Sequence, residues 1–387
     1  MRSVHSASHA VAAIALVAGV VSLTAQSSQL PAAASAQIDS FLASEQARQK
    51  IPGMSVAVAF RNQLVYSKAY GTADLEHAVP ASTTTAFRTA SVAKPLTATA
   101  VMGLVEAGRI DLDADVRKYC AAWPEKHPPA TVRQVMAHTA GIRHYVKPGE
   151  SVGKTHYFVM NDALALFKDD PLLHAPGTRY LYSTFGYSLV GCAIEGASGT
   201  TYEQYMRERV FTKAAMTRTR LDRLYEVVPD RSRGYQVLSK QTFDALPAAV
   251  RSFARVGEVY NSDFHDTSMK VPGGGLLSTA EDLVRFGIAL NTGKLLGKAA
   301  VDTMWTLQKT NDGKDTGYGL GWGVQPPQDG ISKLSHSGNQ AGASSVIVIL
   351  PEVGVTYAIM TNLEDADMNT ISRGLANALR DALMKKQ

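Results

Sequence analysis

A hydroxyl and an amine stand one helical turn apart in Ser91-Val92-Ala93-Lys94, the stretch of this 387-residue chain best equipped for chemistry. Serine alone is a weak nucleophile at neutral pH. A lysine stripped of water can lose its proton and then take the one on that serine. Behind the pair, Leu96, Ala98, Val101, Leu104 and Val105 recur at helical spacing until Gly108 ends the pattern. Ser91 is therefore expected at the first turn of a buried helix, with Lys94 on the same face. The helix N-terminus would add a free N–H and a positive dipole where an oxyanion forms.

Other patterns compete for this role. Ser151-Val152-Gly153-Lys154 repeats the spacing, but Pro148-Gly149 precedes it, no amphipathic helix follows at once, and it reads as a solvated loop. The overlapping Gly149-Glu150-Ser151-Val152-Gly153 has the letters of an α/β-hydrolase elbow. That elbow needs a buried strand before it, and residues 143–148 are too polar and too few to supply one. Residues 148–155 almost spell a phosphate-binding loop, with proline at the first glycine position. His138 and His144 have no acidic or cysteine partner at zinc-like spacing, so neither a metal nor an organic cofactor is expected.

A serine–lysine catalyst needs a second proton relay, an oxyanion donor opposite the serine and a strand edge to align the substrate. Residues 176–184 form a loop entering a helix, where the Tyr182 phenol could shuttle protons. Ser335-His336-Ser337-Gly338-Asn339 precedes the terminal strands. Gly338 there would let a substrate approach the backbone closely, and the N–H of Asn339 could face that of Ser91.

Ser91-x-x-Lys94, Tyr182-Ser183-Thr184 and His336-Ser337-Gly338, in this order, resemble the serine β-lactamase-related family of class C β-lactamases, D-Ala-D-Ala carboxypeptidases, D-amino-acid peptidases and esterases. The runs at 138–145, 273–279, 318–322 and 342–346 extend the likeness over roughly residues 37–387. Within the family, 138–145 and 338–346 look most like the mitochondrial β-lactamase-like serine protease and its bacterial homologues. The resemblance implies Ser91 as acylated nucleophile, Lys94 as its base, Tyr182 as second relay, and an oxyanion hole from the N–H groups of Ser91 and Asn339. It places His336 where many β-lactamases carry lysine, which leaves recognition of a substrate carboxylate open. Thr184 departs from the usual asparagine, whose amide contacts both the lysine and the substrate's acylamino carbonyl. A weaker grip on acylamino substrates follows, with room for esters.

The expected function is a secreted serine hydrolase that cleaves amide or ester bonds through an acyl-enzyme, peptidase or D-Ala carboxypeptidase-like first. Carboxylesterase, weak class C-like β-lactamase and non-catalytic penicillin-binding sensor or scaffold are the alternatives. Residues 1–36 read as a secretory leader: Arg2, an apolar run over 10–23, and a small-residue cleavage site at Ala34-Ser35-Ala36 or at Leu23-Thr24-Ala25. A secreted or periplasmic protein without a stable membrane anchor follows, since the run is too short to span a bilayer. The formal net charge is +5 and no long basic run occurs, which argues against nucleic acid and leaves a small molecule or peptide as substrate. The chain has two cysteines, Cys120 and Cys192, and spacing does not decide between free thiols and a disulfide.

To hold the site, the sequence offers a hairpin of strands at 54–60 and 64–70, helical periodicity from 91 to about 269, strands at 345–350 and 355–361, and a closing amphipathic helix. Thr131 and Ser278 or Thr279 are expected helix caps. The fold class is therefore α/β (α+β): one antiparallel sheet built from both termini and flanked by helices (about 37–90 and 270–387), with a mostly helical region inserted (about 91–269). The active site would lie between the two.

Overall fold

The computed structural model describes residues 29–147 and 149–383. Residues 1–28, most of the expected leader, lie outside them. The first helix, Ala32–Gln49, contains Ala34-Ser35-Ala36 in its opening turn. Cleavage after Ala36 would therefore remove that turn, whereas the site at 23–25 precedes the helix altogether. No helix among the described residues is long and apolar enough to cross a membrane.

Gly53–Phe60 and Gln63–Asp74 form the expected hairpin, turned by Arg61 and Asn62, both with positive φ (51° and 59°). Gly53–Phe60 then pairs antiparallel with Val355–Thr361, Met54 opposite Thr361, so the two ends of the chain meet at the sheet centre. The full order is Val79–Pro80, Gln63–Asp74, Gly53–Phe60, Val355–Thr361, Ala343–Leu350, Ile331–Gln340 and Gly323–Gln328. Pro326 and Pro327 sit in the last of these, at the sheet edge, where a missing N–H costs no ladder bond.

Alternation along Gly53–Phe60 sorts its side chains between two cores. Val56 and Val58 pack with Ile38, Leu42, Ile371 and Leu375 of the first and last helices. Ala57 and Ala59 face the larger core, where helix Ala280–Asn291 lies against the sheet. Small residues are needed there because Gly287 of that helix comes so close that an added Cβ would sit 2.5 Å from Thr356 Cγ2. Thr279 caps this helix as expected, and Thr131 with Gln134 forms a capping box on Val132–Met136.

Within the larger core lie Ala93–Glu106, buried on nearly every side, and Thr184–Ser198. After residue 211 short strands interrupt the helical inserted region, which still holds helices Lys240–Ala245 and Ala248–Arg251. Arg220–Leu221, Tyr235–Val237 and Val259–Asn261 are strands of two or three residues, too short to leave an alternating pattern in sequence. Cys120 and Cys192 are joined as a disulfide, with Cα atoms 5.5 Å apart.

Candidate active site

Ser91 belongs to a 3-10 turn, Ala90–Val92, that runs directly into helix Ala93–Glu106. Ala90 is buried yet holds φ at +45°, a left-handed conformation that costs a non-glycine residue on the order of 1–3 kcal/mol. The turn is held in place from the sheet. Ser345 donates its hydroxyl to the Thr89 carbonyl at 2.6 Å, and Gly338 packs so tightly that a Cβ would meet Thr89 O at 2.6 Å and Ala90 Cβ at 2.9 Å. The glycine expected to admit substrate thus serves a different approach: it lets strand Ile331–Gln340 reach the Ser91 turn.

Lys94 is fully buried, and its Nζ has three neighbours: Ser91 Oγ at 3.1 Å, Thr184 Oγ1 at 3.2 Å and the Gly273 carbonyl at 2.7 Å. No carboxylate among the described residues bridges it. Burial first, and the nearby Lys270 cation second, hold its pKa well below the usual lysine range. A neutral amine has two N–H groups and one lone pair. Gly273 O can only accept and Thr184 Oγ1 is placed to accept, so the lone pair is left for the Ser91 O–H.

Tyr182 is half-buried, immediately ahead of the Ser183 cap of helix Thr184–Ser198. Burial raises its pKa, opposed by its contact with the Ser91 hydroxyl, so the phenol keeps its proton. Lys94 Nζ lies 4.7 Å from the centre of the Tyr182 ring and 5.5 Å from that of Tyr187. Those faces would favour an ammonium formed there. Base and acid are thus set apart by their surroundings: an amine without its proton beside a phenol that holds one.

Two residues grouped with substrate binding take other positions. Thr184 is 4% exposed, and its hydroxyl lies under Lys94 rather than toward the cleft. His336 is also buried. Its Nδ1 lies 2.7 Å from the Ser337 carbonyl, an acceptor only, so that nitrogen carries the hydrogen and Nε2 takes the Tyr318 hydroxyl at 2.8 Å. Burial above all pushes its pKa down to about 3. The ring is neutral at pH 7 with both nitrogens occupied, and offers no charge to a carboxylate.

Asn339 is exposed, and its side chain is fully engaged. Nδ2 donates to Asp365 Oδ1 at 2.5 Å, while Oδ1 accepts from the Asp365 N–H and the Ser344 hydroxyl. Gly323–Gln328 pairs with Ile331–Gln340 only as far as Ser335, so beyond it that edge has no strand partner among the described residues. Arg88, three residues before Ser91, and Gly342, three after Asn339, line a cavity of about 530 Å³ with Ser232, Asn261 and Phe264.

Sequence reasoning gave no role to Lys270, which is 3% exposed and rests on the Ser151 carbonyl at 2.9 Å. Burial and Arg88 lower its pKa to about 7. Its one sequence signal is a lone charge inside the apolar run Met269-Lys270-Val271-Pro272. Ser151 itself sits in a short 3-10 turn, and Lys154 is exposed to solvent.

The β-lactamase family profile matches residues 38–380, and the chain belongs to that family, as a serine hydrolase. Human serine β-lactamase-like protein LACTB, mitochondrial, is 28% identical over 431 aligned positions, which span 84% of this chain and 76% of LACTB. Two solved structures share the fold. The octameric penicillin-binding protein homologue from Pyrococcus abyssi has a TM-score of 0.73 at 24% identity, covering 90% of this chain and 77% of its own. D-amino acid amidase from Ochrobactrum anthropi SV3, complexed with L-phenylalanine, has 0.75 at 21%, covering 90% and 99%.

Proposed function

We propose that this protein is an exported serine hydrolase that cleaves amide bonds of peptide-like substrates through an acyl-enzyme on Ser91. One observation carries the reading: a fully buried lysine, without a carboxylate partner among the described residues, whose amine lies 3.1 Å from the serine hydroxyl. Lys94 takes the Ser91 proton as Oγ attacks the carbonyl. The N–H groups of Ser91 and Asn339 hold the oxyanion, and Tyr182 delivers a proton to the leaving amine. Water then attacks the ester with the same groups running in reverse. The Arg88–Gly342 cavity gives the acyl portion room beyond the Asn339 edge. Export is supported by the Cys120–Cys192 bridge, since disulfides persist in oxidising compartments.

Neutral, enclosed His336 removes the cation a free C-terminal carboxylate would seek, which favours internal or capped amides over carboxypeptidase action. Buried Thr184 favours a second reading, carboxylesterase, because no side-chain amide reaches the acylamino group of a peptide. Fluorophosphonate labelling with mapping of the modified peptide should place the adduct on Ser91; an adduct elsewhere refutes the mechanism. Turnover of capped D-alanyl peptides, free D-Ala-D-Ala peptides, p-nitrophenyl butyrate and nitrocefin then ranks substrates. Cleavage of the ester alone makes it an esterase, and stoichiometric penicillin labelling without product release makes it a sensor.

A further inference from the structure

The segment 138–144 has a histidine at each end and has no part in the chemistry above. His138 and His144 nevertheless do the same unusual thing on neighbouring atoms. His138 Nδ1 accepts the backbone N–H of Ser183 at 3.1 Å, and His144 Nδ1 accepts the backbone N–H of Thr184 at 3.3 Å. These are successive donors at the start of helix Thr184–Ser198, where the backbone supplies no acceptor of its own. We propose that His138 and His144 are positioning residues: two neutral imidazole acceptors that clamp the Tyr182-Ser183-Thr184 corner and so aim the Tyr182 phenol at Ser91 and the Thr184 hydroxyl at Lys94.

Further bonds run between the same two segments. Leu181 N–H donates to the His138 carbonyl at 2.7 Å, and the Ser183 hydroxyl donates to the Arg143 carbonyl at 2.7 Å. The corner is therefore held at the backbone N–H groups of Leu181, Ser183 and Thr184, with ring nitrogens accepting the last two. The rings also sandwich the relay. His138 lies 4.3 Å from Tyr182, centre to centre, and His144 meets it edge-on at 5.8 Å. A plain carbonyl could accept an N–H; it could not also wall in the phenol. His138 holds φ at +60°, an uncommon conformation for a non-glycine residue, which that set of bonds sustains.

The arrangement requires both rings to be neutral, because a protonated Nδ1 would face a donor with a donor. Each acceptor Nδ1 places the ring hydrogen on Nε2, and that of His138 ends among the Tyr182, Tyr187 and Tyr318 rings with no acceptor. The surroundings enforce neutrality. Lys94, His336 and His144 face His138, while Lys94, Lys270 and Glu150 face His144. Burial is the largest cause for both. It holds His138 well below the usual histidine range and His144 at about 4 despite the opposing Glu150 charge.

The proposal rests on the acyl-enzyme reading but is tested separately from it. In the purified protein with ¹⁵N-labelled histidine, two of the ten imidazoles should carry hydrogen on Nε2 only and should not titrate between about pH 5.5 and 8. Loss of these two signals in His138 and His144 variants assigns them. Either ring titrating near its ordinary value, or carrying hydrogen on Nδ1, overturns the clamp. His144→Leu, which removes the acceptor, should lower kcat by roughly 10–100-fold with KM changed less than about threefold, the signature of a misaimed group rather than lost binding. His144→Asn, whose Oδ1 can stand in for Nδ1, should recover most of that loss. Equal damage in both variants, or no damage in His144→Leu, overturns the positioning role. A wild-type protein that neither turns over nor labels at Ser91 would instead sink the hydrolase reading, and the tautomer result would still decide the clamp.

Discussion

Ser91-x-x-Lys94 and Ser151-x-x-Lys154 carry the same letters at the same spacing, and the molecule treats them in opposite ways. At the first, the turn enters a buried helix, the lysine is sealed from water, and three groups surround its amine. At the second, the serine contributes its backbone carbonyl to Lys270, and Lys154 faces solvent. What separates them is desolvation: an amine becomes a base at neutral pH by losing its water, not by standing near a hydroxyl.

The largest effects should follow this division. Ser91→Ala and Lys94→Ala should each cut kcat by roughly 10³-fold or more, and Lys94→Arg should fare no better because a guanidinium keeps its proton. Ser151→Ala and Lys154→Ala should stay within about twofold of wild type. Steady-state kinetics on whichever substrate proves best would decide, and an inactive Ser151→Ala would reverse the assignment.

The second loop has its own purpose, carried by the residue between the motif glycine and serine. Glu150 is nearly buried and accepts from Arg143 Nη1 and Nη2 and from the Val146 and Lys147 N–H groups, while Arg143 also reaches Asp170. Removing Glu150 leaves Arg143 with Asp170 and forfeits the charge-assisted hydrogen bonds that Glu150 accepts, at about 1.5–3 kcal/mol. Glu150→Ala should therefore lower unfolding stability by that order in urea titration, while Ser151→Ala leaves the midpoint in place. A small shift for Glu150→Ala would mean that water screens the pair.

Much of this division was legible in sequence. The apolar spacing after Lys94 announced a buried helix, and proline and glycine around Ser151 announced a loop. Strands at both termini announced the sheet, and Gly53–Phe60 does pair with Val355–Thr361. What stayed hidden are contacts between residues distant in the chain. No pattern joins Gly273 O to Lys94, 179 residues apart, or Tyr318 to His336, and side-chain burial is what turned Thr184 and His336 away from substrate. The histidines at 138 and 144 were visible as a pair, yet their partners are backbone N–H groups, which sequence does not mark.

Lys270 sharpens the comparison, because it lies between the two regions: its amine rests on the second loop while its charge acts on the first. With Lys94 as base, kcat/KM rises with pH as Lys94 loses its proton. A cation nearby disfavours that proton and keeps the acid limb low. Lys270→Met should move the limb to higher pH, and an unmoved limb would show that burial alone sets Lys94. Stability has a separate signature. The folded value near 7 lies below the unfolded 10.5, so between those limits the unfolded chain binds the extra proton and stability rises with pH. That rise should flatten in Lys270→Met when unfolding is measured at pH 6 and pH 9.

The smallest effect should come from Thr184→Asn, which probes how far the amine's environment can be altered without losing the base. The threonine hydroxyl occupies one N–H of Lys94, and an asparagine Oδ1 can take over that contact while its Nδ2 extends toward the cleft. If the missing amide is what limits peptide-like substrates, kcat/KM on capped D-alanyl peptides should rise by about three- to fivefold, the order of one added hydrogen bond of about 1 kcal/mol. Hydrolysis of p-nitrophenyl butyrate, which has no acylamino group, should stay level. Space is the counterargument: a Cβ on Gly273 would already meet Thr184 Cγ2 at 2.7 Å, so this wall is tight. Should both substrates slow together, crowding at Lys94 outweighs the new contact, and the threonine is there to fit the lysine rather than to choose the substrate.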